Sequence, residues 1–173
     1  MAKKDSICIE TNDKRIMEAL KEVGNKAKKP KKLMRIASQI MLEDVDSNFD
    51  TQGKNADESW QDWFDPYKIW REKNNRGGGE LLVLEGEMRE GVGRKVTETT
   101  AKVYSDKEYA AIHNFGFDDK ITKHMKKSGK SFDVDMHIPK RTFMKWHEDL
   151  KQNILDELMA ELYVNEKYNE SFL

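Results

Sequence analysis

Between residues 132 and 138 apolar and polar side chains alternate strictly, with Phe132, Val134, Met136 and Ile138 separated by Asp133, Asp135 and His137. Successive side chains of a strand point to opposite faces, so this segment reads as a half-buried strand that Pro139 stops. Near the start of the chain the period is helical. After Asn12, which suits an N-cap, Ile16, Leu20, Val23 and Ala27 recur at intervals of 4, 3 and 4 on one face. Pro30 fits the first turn of a second helix. Leu33, Ile36, Ala37, Ile40, Met41, Val45 and Phe49 continue it as a broad apolar stripe. The segment Ile7 to Ile9 suits a short first strand, and Leu81 to Leu84 is an apolar run of strand length. Val92 to Tyr104 reads as a β-hairpin with Val96, Ala101 and Val103 facing inward. A last helix, 142–163, carries Phe143, Trp146, Leu150, Ile154, Leu158 and Leu162, and the tail frays from about Val164.

Helices at both ends with adjacent strands between them predict an α+β fold. Its parts are an N-terminal helical hairpin, a central and mainly antiparallel sheet, and a long C-terminal helix. No internal repeat or boundary divides residues 1–173, a length that suits a single domain. Two loops are expected to be flexible: 74–79, with three successive glycines, and 118–130, rich in lysine.

Composition narrows the function. The 31 basic and 32 acidic residues nearly cancel to a net charge of -1, whereas a protein held to nucleic acid by bulk charge is strongly basic. Cys8 is the only cysteine, so no internal disulfide forms and a secreted, stapled fold is not expected. Met1 to Asp5 is not followed by an apolar stretch long enough for a signal peptide, and no run suits a membrane span. The expected compartment is the cytosol or a particle built there.

Candidate chemistry is sparse. His113, His124, His137 and His147 are spaced by 11, 13 and 10, which matches no common metal-ligand pattern. Arg76 to Gly79 lacks the strand–G-x-x-x-x-G-K-[ST]–helix context of a phosphate loop. No cofactor is expected, and the chain does not read as an enzyme; a hydrolase with His113 as base is the weakest reading. Two lysine clusters suit either phosphate contact or plain solvation. One surrounds Pro30 at 26–32; the other comprises Lys120, Lys123, Lys126, Lys127 and Lys130. Neither is interleaved with aromatics for base stacking. Trp60, Trp63, Phe64, Tyr67 and Trp70 stand close together in a polar segment. They either cover the helical hairpin or anchor a neighbouring subunit.

Several segments, in order, are similar to the phage virion morphogenesis family, the tail-completion proteins of Mu-like and P2-like phages. Phe49, Gly53, Trp60 and Arg71 match a Phe, glycines, a Trp and a basic residue after the family's helices. Leu82 to Val92 resembles an apolar strand followed by Thr-Gly-x-Leu-Arg and an aliphatic residue. Tyr109 to Gly116 is close to Tyr-Ala-x-Ile-His-x-Phe-Gly. Ile138 to Met144 is like Ile-Pro-x-Arg-Pro-Phe-Leu before a C-terminal helix. The resemblance covers roughly residues 49–144; Glu85 replaces the family's Thr and Thr142 its Pro.

These motifs also have physical readings. Gly86 permits a tight exit from the apolar run. Tyr109 to Phe115 packs as an aromatic and aliphatic plug, and Gly116 turns the chain. Pro139 ends a strand, Arg141 is placed to pair with acidic groups, and Phe143 and His113 complete the motifs as structural residues. The resemblance implies a structural protein of the virion neck or tail end that finishes the tail or joins it to the head. Its implied partners are further copies of itself in a ring and tail, neck or portal proteins, with no membrane. Contact with DNA through the lysines is the alternative.

Overall fold

The structure, a computed structural model, describes residues 8–10, 30–124 and 131–170. The helix expected over 12–27 and Lys26, Lys28 and Lys29 lie outside the described residues. The organising element is α1 (Pro30–Asp50). Leu33, Ala37, Met41, Val45 and Phe49 recur at every fourth position along it and are all buried. Pro30 occupies its first turn, where a missing N–H costs nothing.

One flank of α1 meets a three-stranded antiparallel sheet in the order β1-β3-β2, where β1 is Cys8–Glu10, β2 is Val92–Val96 and β3 is Ala101–Ser105. The expected hairpin forms with Val96 opposite Ala101 and Gly93 opposite Tyr104. Ala101, Val103 and Ser105 face inward and are fully buried, while Tyr104 between them is exposed. The other flank of α1 meets α5 (Glu148–Glu170) through Leu150, Ile154 and Leu158. The chain connects these layers through a 3₁₀ turn (Lys54–Ala56), α2 (Asp65–Lys73), the single turn α3 (Glu87–Glu90) and α4 (Ala110–Phe115). Arg89 of α3 reaches back to α1, bonding Asp46 at 2.9 Å and Asp50 at 2.6 Å. The α+β class holds, with helices flanking small antiparallel sheets.

Four expectations need correction. Strands are not gathered into one central sheet: β4 (Phe117–His124) and β5 (Ser131–Ile138) form a separate two-stranded ribbon. Residues 118–124, read as loop, are therefore strand, because β5 supplies a full antiparallel ladder from Phe117↔Ile138 to His124↔Ser131. Leu81 to Leu84 is a turn rather than a strand; Leu82 has φ +62°, and the Leu81 N–H is taken by the Gln52 side chain at 2.7 Å. The C-terminal helix starts at Glu148, not at residue 142, because the preceding backbone is bonded elsewhere. His147 caps it, its Nδ1 accepting the Leu150 N–H at 3.4 Å while Nε2 faces Asp44 of α1 at 2.9 Å.

Gly53 closes α1 with φ +87°, and a Cβ there would run into the Glu58 carbonyl oxygen and the indole of Trp60. Gly53→Ala should therefore cost at least about 2 kcal/mol, roughly 6 °C in melting temperature for a chain of this size. An unchanged thermal melt would show that the turn relaxes freely.

Candidate functional site

The matched motifs converge on one buried stretch, Arg141 to Met144, which crosses the core outside any helix or strand. Its polar backbone groups are met by side chains. Asn114 of α4 accepts the N–H groups of Phe143 at 3.0 Å and Met144 at 2.8 Å, and donates to the Met144 carbonyl at 3.2 Å. The Trp60 indole N–H donates to the Thr142 carbonyl at 2.9 Å. Asn48 of α1 donates to the Phe143 carbonyl at 3.4 Å, and the His113 carbonyl accepts the Arg141 N–H at 2.8 Å. Around this clamp the ring of Phe49 stands 5.2 Å from Phe143 and, edge-on, 5.6 Å from Trp60.

Glu58 locks the clamp from its outer side. It accepts the Thr142 hydroxyl at 2.7 Å and the Lys145 ammonium at 3.0 Å, with Lys140 at 3.1 Å. The Thr142 bond first, and then the two lysines, hold its carboxyl at about 2, below the ordinary 4.5.

Each motif residue has a place in this frame. Gly86 (φ +80°) turns the chain into α3. Gly116 (φ +80°) does so before β4, where a Cβ would meet the Lys140 nitrogen at 3.1 Å. Phe143 is fully buried. Among the described residues Arg141 makes no bonded ion pair, although the Asp62 charge lies near it; its guanidinium donates to the carbonyls of Gln61 at 2.8 Å and Asp62 at 3.2 Å. The expected plug is different in kind: Ala110 and Asn114 are the buried residues of α4, whereas Tyr109, Ile112 and Phe115 are exposed. Burial, and then the nearby Arg141 charge, keep the His113 pKa below its usual value, so its ring is neutral at pH 7.

The aromatic cluster divides. Trp60 belongs to the core, 7% exposed, and is not available as an interface residue. Trp63, just before α2, and Tyr67 and Trp70 on it form a ladder, with ring centroids 6.2 and 5.7 Å apart, and Trp70 is 45% exposed. Trp63, Phe64 and Tyr67 line a groove of about 470 Å³ with Tyr109, Met136 and Pro139 also in its walls. Arg71 lies 4.0 Å over the Trp63 ring and straps the glycine loop, donating to the carbonyls of Arg76 at 2.8 Å and Gly78 at 2.7 Å.

Of the lysines, Lys32 pairs with Glu161 of α5. Lys120 faces Asp135 across the ribbon at 3.8 Å, and Lys123 stands on β4 opposite Phe132. Lys126, Lys127 and Lys130 lie outside the described residues. Among the described residues no cluster of His, Cys, Asp or Glu is arranged to hold a metal, and no helix is long and apolar enough to cross a membrane. Sequence reasoning missed Asn114, Asn48 and Glu58. Asn114 stands at the position that the Tyr-Ala-x-Ile-His-x-Phe-Gly pattern leaves open, and its signal was a polar residue inside an apolar motif.

The described residues thus form an α+β fold with a side-chain clamp in its core, a surface groove and a separate two-stranded ribbon. The chain belongs to the phage virion morphogenesis family, whose model matches residues 11–163. It is 27% identical over 104 residues to the putative capsid assembly protein G of Escherichia phage Mu, an alignment covering 60% of this chain and 66% of that protein. No solved structure matches. The family gives the chain a role in phage morphogenesis.

Asn114→Ala would strip three backbone groups of their partners and should cost on the order of 3 kcal/mol or more, read by denaturant unfolding. A loss below about 1 kcal/mol would mean that the clamp is redundant. The lowered pKa of Glu58 makes its contribution complete above about 4.5 and progressively lost as pH falls toward about 2. Since the carboxylate is partly solvated, Glu58→Gln should destabilise by only about 1 kcal/mol at pH 7. That difference should disappear near pH 2; a deficit independent of pH would contradict the assignment.

Proposed function

We propose that the chain is a single-domain subunit that completes the phage tail or joins it to the head at the neck. It acts by binding rather than by turnover, docking further copies of itself in a ring and contacting tail, neck or portal proteins. It is assembled in the host cytoplasm and retained in the virion at the neck or tail end. The observation that carries the reading is the aromatic-walled surface groove beside the β4–β5 ribbon. Phe64 at its rim is 63% exposed and shares the groove with the exposed Tyr109 and Met136, a contiguous apolar patch of the kind that marks an interaction site. Family membership supports the assembly role. The name of the Mu relative, which speaks of capsid assembly, suits a protein working where head and tail meet.

The test is electron microscopy of particles assembled without the chain and with Phe64→Asp/Tyr67→Asp in its place. Both should give intact heads and tails that fail to join, or unfinished tails, with infectivity down at least about 100-fold, as for loss of an interface anchor. Complete, infective particles lacking the chain would overturn the reading.

A further inference from the structure

The β4–β5 ribbon has two strands, and among the described residues no third strand joins it. Such a ribbon is marginal in water by itself, and each edge leaves half of a strand's N–H and C=O groups outside the ladder. The structure shows which groups these are. The Lys120 N–H is bonded to the Asp119 side chain at 2.7 Å, so it turns away from β5. Opposite residues of an antiparallel ladder turn the same way, and Lys120 stands opposite Asp135. Asp135 therefore presents its N–H and C=O on the outer edge of β5, together with Asp133 and His137, its neighbours in the alternation. The side chains agree, because opposed side chains come closest where both residues turn outward. Thr122 donates to Asp133 at 2.7 Å, and His137 lies 3.5 Å from Asp118.

The two edges are not equivalent. On β4 the outward Lys120 N–H is already taken by Asp119, whereas the outward N–H groups of Asp133, Asp135 and His137 have no described partner. β5 is also the strand on the groove side: Met136, His137 and Ile138 stand in the groove wall, and β4 contributes nothing to it. The open edge thus borders the aromatic surface of Trp63, Phe64 and Tyr67.

Charge does not select the occupant of this place. Glu85 pairs with Arg76 at 2.8 Å, Glu87 accepts the Tyr109 hydroxyl at 3.3 Å, and Arg71 and Arg141 donate to backbone carbonyls. The main chain does select it, since an extended segment can offer a row of N–H and C=O groups to a strand edge and a helix cannot. Building on the assembly role proposed above, we infer that the groove and the β5 edge together take one extended segment of another virion protein, which adds to the ribbon as a third strand. Its side chains alternate. Those on one side are apolar, beside Val134 and Met136 and reaching Phe64 and Tyr67; those on the other are basic or hydroxyl-bearing where they fall opposite Asp133 and Asp135. The ribbon of a second copy fits poorly. Its β5, laid antiparallel on this one, would bring these aspartates against each other, and its β4 edge is partly closed by Asp119.

The experiment uses the full chain with Asp135→Pro, which removes one outward N–H of β5 and sets a ring in its place. The control is Lys120→Pro at the opposite residue, whose N–H also lies outside the ladder. Neither change removes a ladder hydrogen bond, so both variants should melt with the parent. Each is added to heads and tails from phage grown without the chain, and restored infectivity is counted. The parent and Lys120→Pro should restore it equally, and Asp135→Pro should fall short by at least about 100-fold, as for loss of an interface anchor. Asp135→Ala, which keeps the N–H, should restore it like the parent. Equal restoration by all variants, or equal failure of the two proline variants, would overturn the inference. If particles lacking the chain are already infective, the assembly role fails, and amide exchange decides strand addition in complexes isolated on the tagged chain from phage-producing cells. Exchange over 131–138 slowed at least about tenfold relative to the free chain supports it, and unchanged exchange overturns it. The same slowing in the pure chain as its concentration rises would assign the strand to a second copy and overturn the inference as well.

Discussion

The backbone of Thr142, Phe143 and Met144 passes through the middle of the protein without a helix or strand to satisfy it. Every buried N–H and C=O must find a partner, at a penalty of roughly 1–3 kcal/mol for each left alone. Here the partners are Trp60, Asn48 and Asn114, contributed by three separate parts of the chain. The stretch is fixed only when all three have arrived, so it ties α1, the segment after Gly53 and α4 together. Glu58 adds a second hold at Thr142 and Lys145.

This tie places the surface features. Arg141 is anchored by its own N–H to the His113 carbonyl, and its guanidinium then gathers the carbonyls of Gln61 and Asp62 beneath the aromatic segment. Gly116 brings the start of β4 within van der Waals reach of Lys140, so the ribbon leaves the body beside the groove. A residue can thus be a family signature through its place in the core, where it positions the surface segments around it.

What the sequence made legible was whatever packs with a regular period. The stripe of α1 and the inward face of β3 repeat because one side is dry, whereas β5 alternates because the ribbon has one apolar and one polar face. β4 does not show as a strand in the sequence because its lysines and aspartates hide an alternation that no core enforces; only its pairing with β5 makes it one. Leu81 to Leu84 misled for the opposite reason, since an unbroken apolar run carries no period and a turn covers the core as well as a strand does. The late start of α5 was invisible because Asn114 and Trp60, distant in sequence, hold the residues before it. Within the aromatic cluster, composition alone did not separate Trp60, which bonds inward, from Trp70, which faces out.

The most direct measurement is native-state hydrogen exchange at the Phe143 and Met144 amides. If the Asn114 clamp is the tie on which the fold depends, both exchange only through global unfolding, with free energies equal to those of the α1 core amides. Exchange through local opening, several kcal/mol easier than global unfolding, would show that the segment is loosely held and that the fold rests on something else.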